Sequence, residues 1–423
     1  MSLPLGTSGR PERRKIAVIL SGGGARGAYE VGVLSYILDT YARQRGAPPR
    51  FDILCGTSVG AINACFLAAH MQDPTLGVRR LVDLWSDLAL ANVLSFGVRQ
   101  ALSVHRVLMG GGPETVGIFD VRPMAKLIER EVPWRAISRT LRRGHFSALS
   151  VSATEVSSGR TVIFMQTGPD GSLPTHAPPR TVIRGAHIGP HHALASAAIP
   201  ILFPHVRIGR ELFMDGGVRQ NTPIAPALRL GATHVLAVGL SREVHGVDSV
   251  GNAAAPGAAF LLGKILNAFL LDHVQSDLEI LRRVNHLIDA GEAAYGAGFL
   301  DTINRDATAR GRYPYRRVES LVVGPSEDIG RLAAEHVRGN GLRTSPLLAR
   351  QLLNLVDVGV ASESDLASYI LFDGSFAKKL IGLGRADAEA RRHDIAQFFG
   401  SPSDDLDPHT HDSGEWQIPP PVA

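Results

Sequence analysis

Three short stretches of this sequence carry residue types that could break an acyl bond. Gly56-Thr57-Ser58-Val59-Gly60 has the Gly-x-Ser-x-Gly form of a nucleophile elbow, a serine on a tight turn between strand and helix. Side chains at the flanking positions of such a turn would collide, hence glycine at both. Asp215-Gly216-Gly217 sets a carboxylate on a turn whose glycines would let the backbone bring it close to Ser58. Gly22-Gly23-Gly24-Ala25-Arg26-Gly27 is a loop able to aim several backbone N–H groups at one spot, which an oxyanion needs. A serine hydroxyl attacks poorly until a base takes its proton. An aspartate near its reference pKa of ~3.9 is a weak base, and burial would raise it.

The elements around these residues place them on one sheet edge. Lys15 to Leu20 (KIAVIL) reads as a buried parallel strand, followed by the glycine loop and a helix ending near Gly46. Phe51, Ile53 and Leu54 lead a second strand into the elbow, and the small-residue run after Gly60 reads as its helix. The fold class is therefore α/β, built from successive strand–helix units. Further strands are expected at FSALSVSAT, TVIFMQ, Glu211 to Met214, THVLAVGL and SLVVG. Gly168 to Pro190 reads as an irregular loop whose His176 and His187, with His191 and His192 just beyond, are solvated rather than metal-binding. Residues 258–284 read as a long helix. Its apolar part, about 260–271, reads as a core helix, with a lid or acyl-chain wall as the second reading.

Other chemistries fit less well. Gly22-x-Gly24-x-x-Gly27 also satisfies the dinucleotide fingerprint, but that reading wants an acidic residue closing the second strand. Asp52 instead begins that strand, and the elbow ends it. An α/β-hydrolase triad would run serine, acid, histidine; here the histidine-rich loop precedes the obvious acid. The two cysteines, Cys55 and Cys65, are too few for a disulfide framework and read as small buried residues. With 44 basic and 40 acidic residues the net charge is only +4, which argues against a nucleic-acid partner. It suits contact with an anionic membrane face without requiring it. The apolar run after Arg13-Arg14-Lys15 stops at Ser21, too short for a leader, and no stretch reaches the ~20 apolar residues of a bilayer span. A soluble, cytoplasmic protein is expected, peripheral at most to the inner face of a membrane.

Taken together, these residues resemble the patatin-like phospholipase family, over about residues 15–240. The glycine loop with Arg26 before Gly27, the Gly56 to Gly60 elbow, Ala195-Ser196 through Pro200, and Asp215-Gly216-Gly217 match its four ordered blocks. Asn221-Thr222-Pro223 also fits. The resemblance implies a three-layer α/β/α fold with a mostly parallel sheet and a Ser58–Asp215 dyad without histidine. It further implies lipid acyl hydrolysis through an acyl-enzyme, with no cofactor and no metal in the chemical step. Gly22, Gly23, Gly24, Arg26 and Gly27 would form the oxyanion loop; Arg26 would either touch the oxyanion or hold the loop by a salt bridge. The alternatives are a small-ester esterase or thioesterase on the same dyad, and a silent lipid-binding protein. The expected organisation is a loose N-terminus (1–14), the hydrolase domain (15–325), a helical C-terminal extension resembling that of bacterial members (326–400) and a disordered tail (401–423). For the extension, a helical cover over the sheet edge is expected.

Overall fold

The computed structural model describes residues 14–95, 117, 119–169, 171–242, 263–265, 267–268, 273–340 and 365–401. β1 (Ile16–Leu20) passes through the glycine loop into α1 (Gly27–Ser35). That helix runs on as a π-helical segment (Tyr36–Tyr41) and a last turn (Ala42–Arg45), and Gly46 in the left-handed region ends it. β2 (Ile53–Thr57) and α2 (Val59–Ala69) form the elbow unit. Asp73 caps α3 (Pro74–Ser86) by accepting the Leu76 N–H, with Pro74 at the first helical position. After α4 (Leu90–Val93), α5 (Arg122–Glu131) and α6 (Trp134–Arg142) comes the hairpin of β3 (Ala148–Glu155) and β4 (Thr161–Thr167). β5 (Thr181–Gly185), α7 (Pro190–Ser196), β6 (Val206–Ile208), β7 (Glu211–Asp215), α8 (Ile224–Arg229) and β8 (His234–Val238) follow. The chain continues with α9 (His273–Tyr295), α10 (Phe299–Ala309), β9 (Glu319–Val323), α11 (Ile329–Asn340), α12 (Asp365–Ile370), α13 (Gly374–Ala390) and α14 (Arg392–Phe399).

The sheet runs β5-β4-β3-β2-β1-β8-β9, with β7 joined to β3 and β6 to β7. From β3 through β9 the neighbours are parallel, and the β3–β4 and β6–β7 hairpins are antiparallel. Strand alternation makes the layers. Ile16, Val18 and Leu20 face one core with α1, α2 and α13, while Ala17 and Ile19 face the other with α8 and α9. This is the expected three-layer α/β arrangement around a mostly parallel sheet.

Two expectations change. Part of the stretch read as irregular is β5, paired parallel to β4 from Thr161↔Thr181 to Met165↔Gly185. Pro, Gly and His crowd that stretch, but Thr181, Val182 and Ile183 are strand formers that an edge accepts. The C-terminal helices also do more than cover a sheet edge. Tyr369, Phe376, Leu380 and Phe399 share one core with Val18 and Leu34. α13 lies along α1 at backbone contact: a Cβ on Gly32 would meet the Ile381 carbonyl at 2.3 Å, and one on Gly384 the Tyr29 carbonyl at 2.3 Å. The loose terminus up to residue 13, most of the apolar part at 260–271 and the tail beyond 401 lie outside the described residues. Among those described, no helix is long and apolar enough to cross a membrane.

Candidate active site

Sheet register brings the serine and the aspartate together. β2 runs parallel to β3 as far as Thr57↔Ser152, then leaves the sheet at Ser58. β7 takes over the vacated side of β3 at the next position, Ala153↔Asp215, running the opposite way. The C-terminal ends of β2 and β7 therefore meet head to head. Ser58 Oγ donates to Asp215 Oδ2 at 2.6 Å, with both residues buried.

Ser58 has φ 53 and ψ −129, a conformation that costs a non-glycine residue on the order of 1–3 kcal/mol. Its neighbours hold it there. Gly56 and Gly60 leave no room for a Cβ: one on Gly56 would lie 2.4 Å from the Gly60 carbonyl, and one on Gly60 2.3 Å from that of Leu20. The Ser58 N–H donates to Ser196 Oγ at 2.8 Å, and the Ser196 hydroxyl donates to the Ser152 carbonyl at 2.6 Å. Ser196 thus bolts the elbow to β3. Removing that hydroxyl leaves a buried donor and a buried acceptor unpaired, at about 1–3 kcal/mol each. Ser196→Ala is expected to lower the melting temperature by several degrees, read by circular dichroism, and an unchanged melting curve would show the relay to be idle.

Asp215 is held at both oxygens, since Oδ1 accepts the Gly217 N–H at 2.7 Å. Burial raises its pKa to about 7, against the opposing pull of the Ser58 and Gly217 donors. A Cβ on Gly216 would meet the Ser152 carbonyl at 2.2 Å, so this turn lies directly on β3.

The glycine loop is fixed from two sides. The Gly22 N–H donates to Asn221 Oδ1 at 2.9 Å, and Asn221 Nδ2 returns a bond to the Gly22 carbonyl at 3.2 Å. Gly22 is therefore clamped, and its N–H is engaged by Asn221 rather than directed at a ligand. The amides of Gly23 and Gly24 meet no acceptor among the described residues. Gly24 has φ 59, and a Cβ there would lie 2.1 Å from the Tyr369 carbonyl of α12. Gly27 lies against the start of α2, where a Cβ would meet Val59 at 2.7 Å. Arg26 is buried; it donates to Ser368 Oγ at 2.7 Å and Asn267 Oδ1 at 3.3 Å, with its guanidinium 4.5 Å from the centroid of the Tyr369 ring. These contacts hold Arg26 against α12, as the loop-holding role read from the sequence would require.

The remaining singled-out residues lie elsewhere. Asp52 accepts from the Ile16 N–H and from Arg50 at the far end of the strands. His176, His187 and His191 are exposed, but His192 is buried against Phe164 and pushed down to about 4. The solvated reading fails for it because its ring turns inward from the first turn of α7, where Nδ1 accepts the Gly189 N–H. Cys55 and Cys65 are buried free thiols, and burial pushes Cys55 up to about 12. Among the described residues, no three His, Cys, Asp or Glu side chains gather as a metal group would.

An apolar recess opens beside the elbow. Val59, Ile62, Asn63 and Phe66 supply one face of α2 to it, opposite Trp85 of α3 and Leu127 of α5. The four positions on α2 lie on one stripe of the helix.

An α/β sheet with an elbow serine bonded to a strand-end aspartate defines the class of the molecule. Residues 18–228 match the family model described as Patatin-like phospholipase, and the chain belongs to that family. It is 29% identical over 204 residues to the cGAMP-activated phospholipase of Pseudomonas aeruginosa (strain BWHPSA011 / Pa011), covering 48% of this chain and 53% of that protein. The chain thus matches about half the length of that curated relative. Similar solved structures include human GIVD cytosolic phospholipase A2, with TM-score 0.42, 11% identity, and 91% of this chain against 60% of that one covered. VipD from Legionella pneumophila gives TM-score 0.30 and 15% identity, over 88% of this chain and 67% of that one.

Proposed function

We propose that this chain is a serine lipid acyl hydrolase working through a Ser58–Asp215 dyad. The observation that carries the reading is the buried 2.6 Å bond between Ser58 Oγ and an aspartate whose pKa burial has lifted to about 7. A base with that pKa can accept a proton near neutrality and give it back, which general acid–base catalysis requires. Ser58 Oγ attacks the ester carbonyl carbon as its proton passes to Asp215. The N–H groups of Gly23 and Gly24 stabilise the tetrahedral oxyanion. Collapse breaks the bond to the alcohol, which leaves with the proton from Asp215. Water then attacks the acyl-enzyme, Asp215 takes its proton, and the fatty acid departs as Ser58 recovers its own.

The recess supports a long acyl chain over a short one. Apolar side chains dominate its lining, as an acyl chain requires. Hydrolysis of p-nitrophenyl esters from short to long chains tests both parts of the reading, with long chains preferred. Leu127→Trp, which fills the recess from α5, is expected to cut kcat/KM for long-chain esters roughly tenfold while sparing the butyrate, since each lost methylene contact is worth ~1 kcal/mol or more. An unchanged chain-length profile would remove the recess from the substrate path.

A further inference from the structure

Glu30 of α1 is a buried carboxyl that no cation faces among the described residues. Its Oε1 accepts the Ser21 N–H at 2.7 Å, and its Oε2 accepts Asn63 Nδ2 at 2.9 Å. Both contacts are to groups that can only donate. The Asn63 amide cannot turn to suit a protonated partner. Its Oδ1 accepts the Trp85 Nε1–H at 3.1 Å, and its Nδ2 also reaches the Gly27 carbonyl at 3.2 Å. Indole N–H only donates, so it fixes which end of the amide faces it. The carboxylate is the form that satisfies every partner, although burial pushes Glu30 up to about 8.

The ends of this chain of bonds matter. Ser21 immediately precedes Gly22, Asn63 lies on α2 one turn beyond the elbow, and both Asn63 and Trp85 line the apolar recess. We propose that Glu30 is a positioning residue that holds the glycine loop in register with Ser58 and, through Asn63 and Trp85, ties both to the wall of the recess. The proposal rests on the acyl-hydrolase reading for its consequence in turnover, and on geometry alone for its consequence in loop order.

Exchanging the two groups tests it. In Glu30→Gln a single oxygen must serve two donors, so either Ser21 N–H or Asn63 Nδ2 faces another N–H. In Asn63→Asp two carboxylates confront one another. In the double variant Glu30→Gln/Asn63→Asp, the glutamine accepts from Ser21 and donates to the aspartate, which still accepts from Trp85 and loses only the bond to the Gly27 carbonyl. Each single variant is expected to lose about tenfold to a hundredfold in kcat, the scale of a small misplacement of reacting groups, with KM changed little. The double variant is expected to recover about threefold or more over the worse single, short of wild type by the lost Gly27 bond, because coupled neighbours are not additive. Amide hydrogen exchange over residues 21–24 should speed up in the singles and return in the double, a readout that needs no turnover. If a single variant does not fold, the double is compared directly with wild type by the same two measurements. Singles matching wild type in kcat and exchange, or a folded double no better than the worse single, would overturn the proposal. Wild-type hydrolysis that survived Ser58→Ala would instead overturn the acyl-hydrolase reading, leaving the exchange result to judge Glu30.

Discussion

Ser58→Ala is expected to abolish ester hydrolysis, by roughly 10⁴-fold or more in kcat, while the protein stays folded. Loss of a nucleophile that works as a unit with its base leaves only the residual effect of binding and oxyanion donors. The fold should tolerate the change because the Ser58 side chain makes its one hydrogen bond to Asp215, while the elbow is fixed by the backbone bond to Ser196. Alanine keeps the Cβ and adds no new crowding at φ 53. The Asp215 carboxyl loses a donor that lowers its pKa, so it should move further upward. Turnover of a long-chain ester, with circular dichroism on the same sample, checks this. Activity persisting in a folded Ser58→Ala would remove Ser58 from the chemistry.

Asp215→Asn should cost roughly 10³-fold or more, since an amide cannot take the serine proton. The wild-type profile carries the same information. The base form must be unprotonated, so kcat/KM should rise with pH through about 7 and then level off. Stability moves the other way. An aspartate whose folded pKa lies above its unfolded value binds more protons in the native state across that interval. Its contribution is full below the unfolded pKa of ~3.9 and is lost as pH rises toward about 7. Asp215→Asn removes this penalty, so its melting temperature relative to wild type should climb between pH 5 and pH 8. A difference independent of pH would show that Asp215 is not titrating in the native protein.

The pairing of Ser58 with Asp215 was legible because each carries its geometry beside it. Glycines flank Ser58 and follow Asp215, and the apolar runs around them fix strand and helix. The grips on those residues were not legible, because they come from far along the chain. Ser196 reaches Ser58 across 138 positions, Asn221 reaches Gly22 across 199, and Ser368 reaches Arg26 across 342. No local pattern encodes a partner at that distance. The recess and Glu30 were hidden for a related reason. Val59, Ile62 and Phe66 read as core, and Glu30 reads as an ordinary acid in a first helical turn until Ser21 and Asn63 are seen on either side of it. β5 was missed where loop-forming residues outnumber a few strand formers, and pairing with β4 decides the matter.

The contact of Gly24 with Tyr369, and of Arg26 with Ser368, also sets an order of events during synthesis. Ser368 leaves the ribosome 342 residues after Arg26. At roughly 5–20 residues per second, the interval between them is on the order of tens of seconds. Throughout that time the elbow and the strands beside it can form and Asn221 can clamp Gly22, while the α12 side of the loop is still to come. Gly24 and Arg26 therefore reach these contacts only once α12 has been made, so the order of synthesis as well as the local sequence governs when the loop closes.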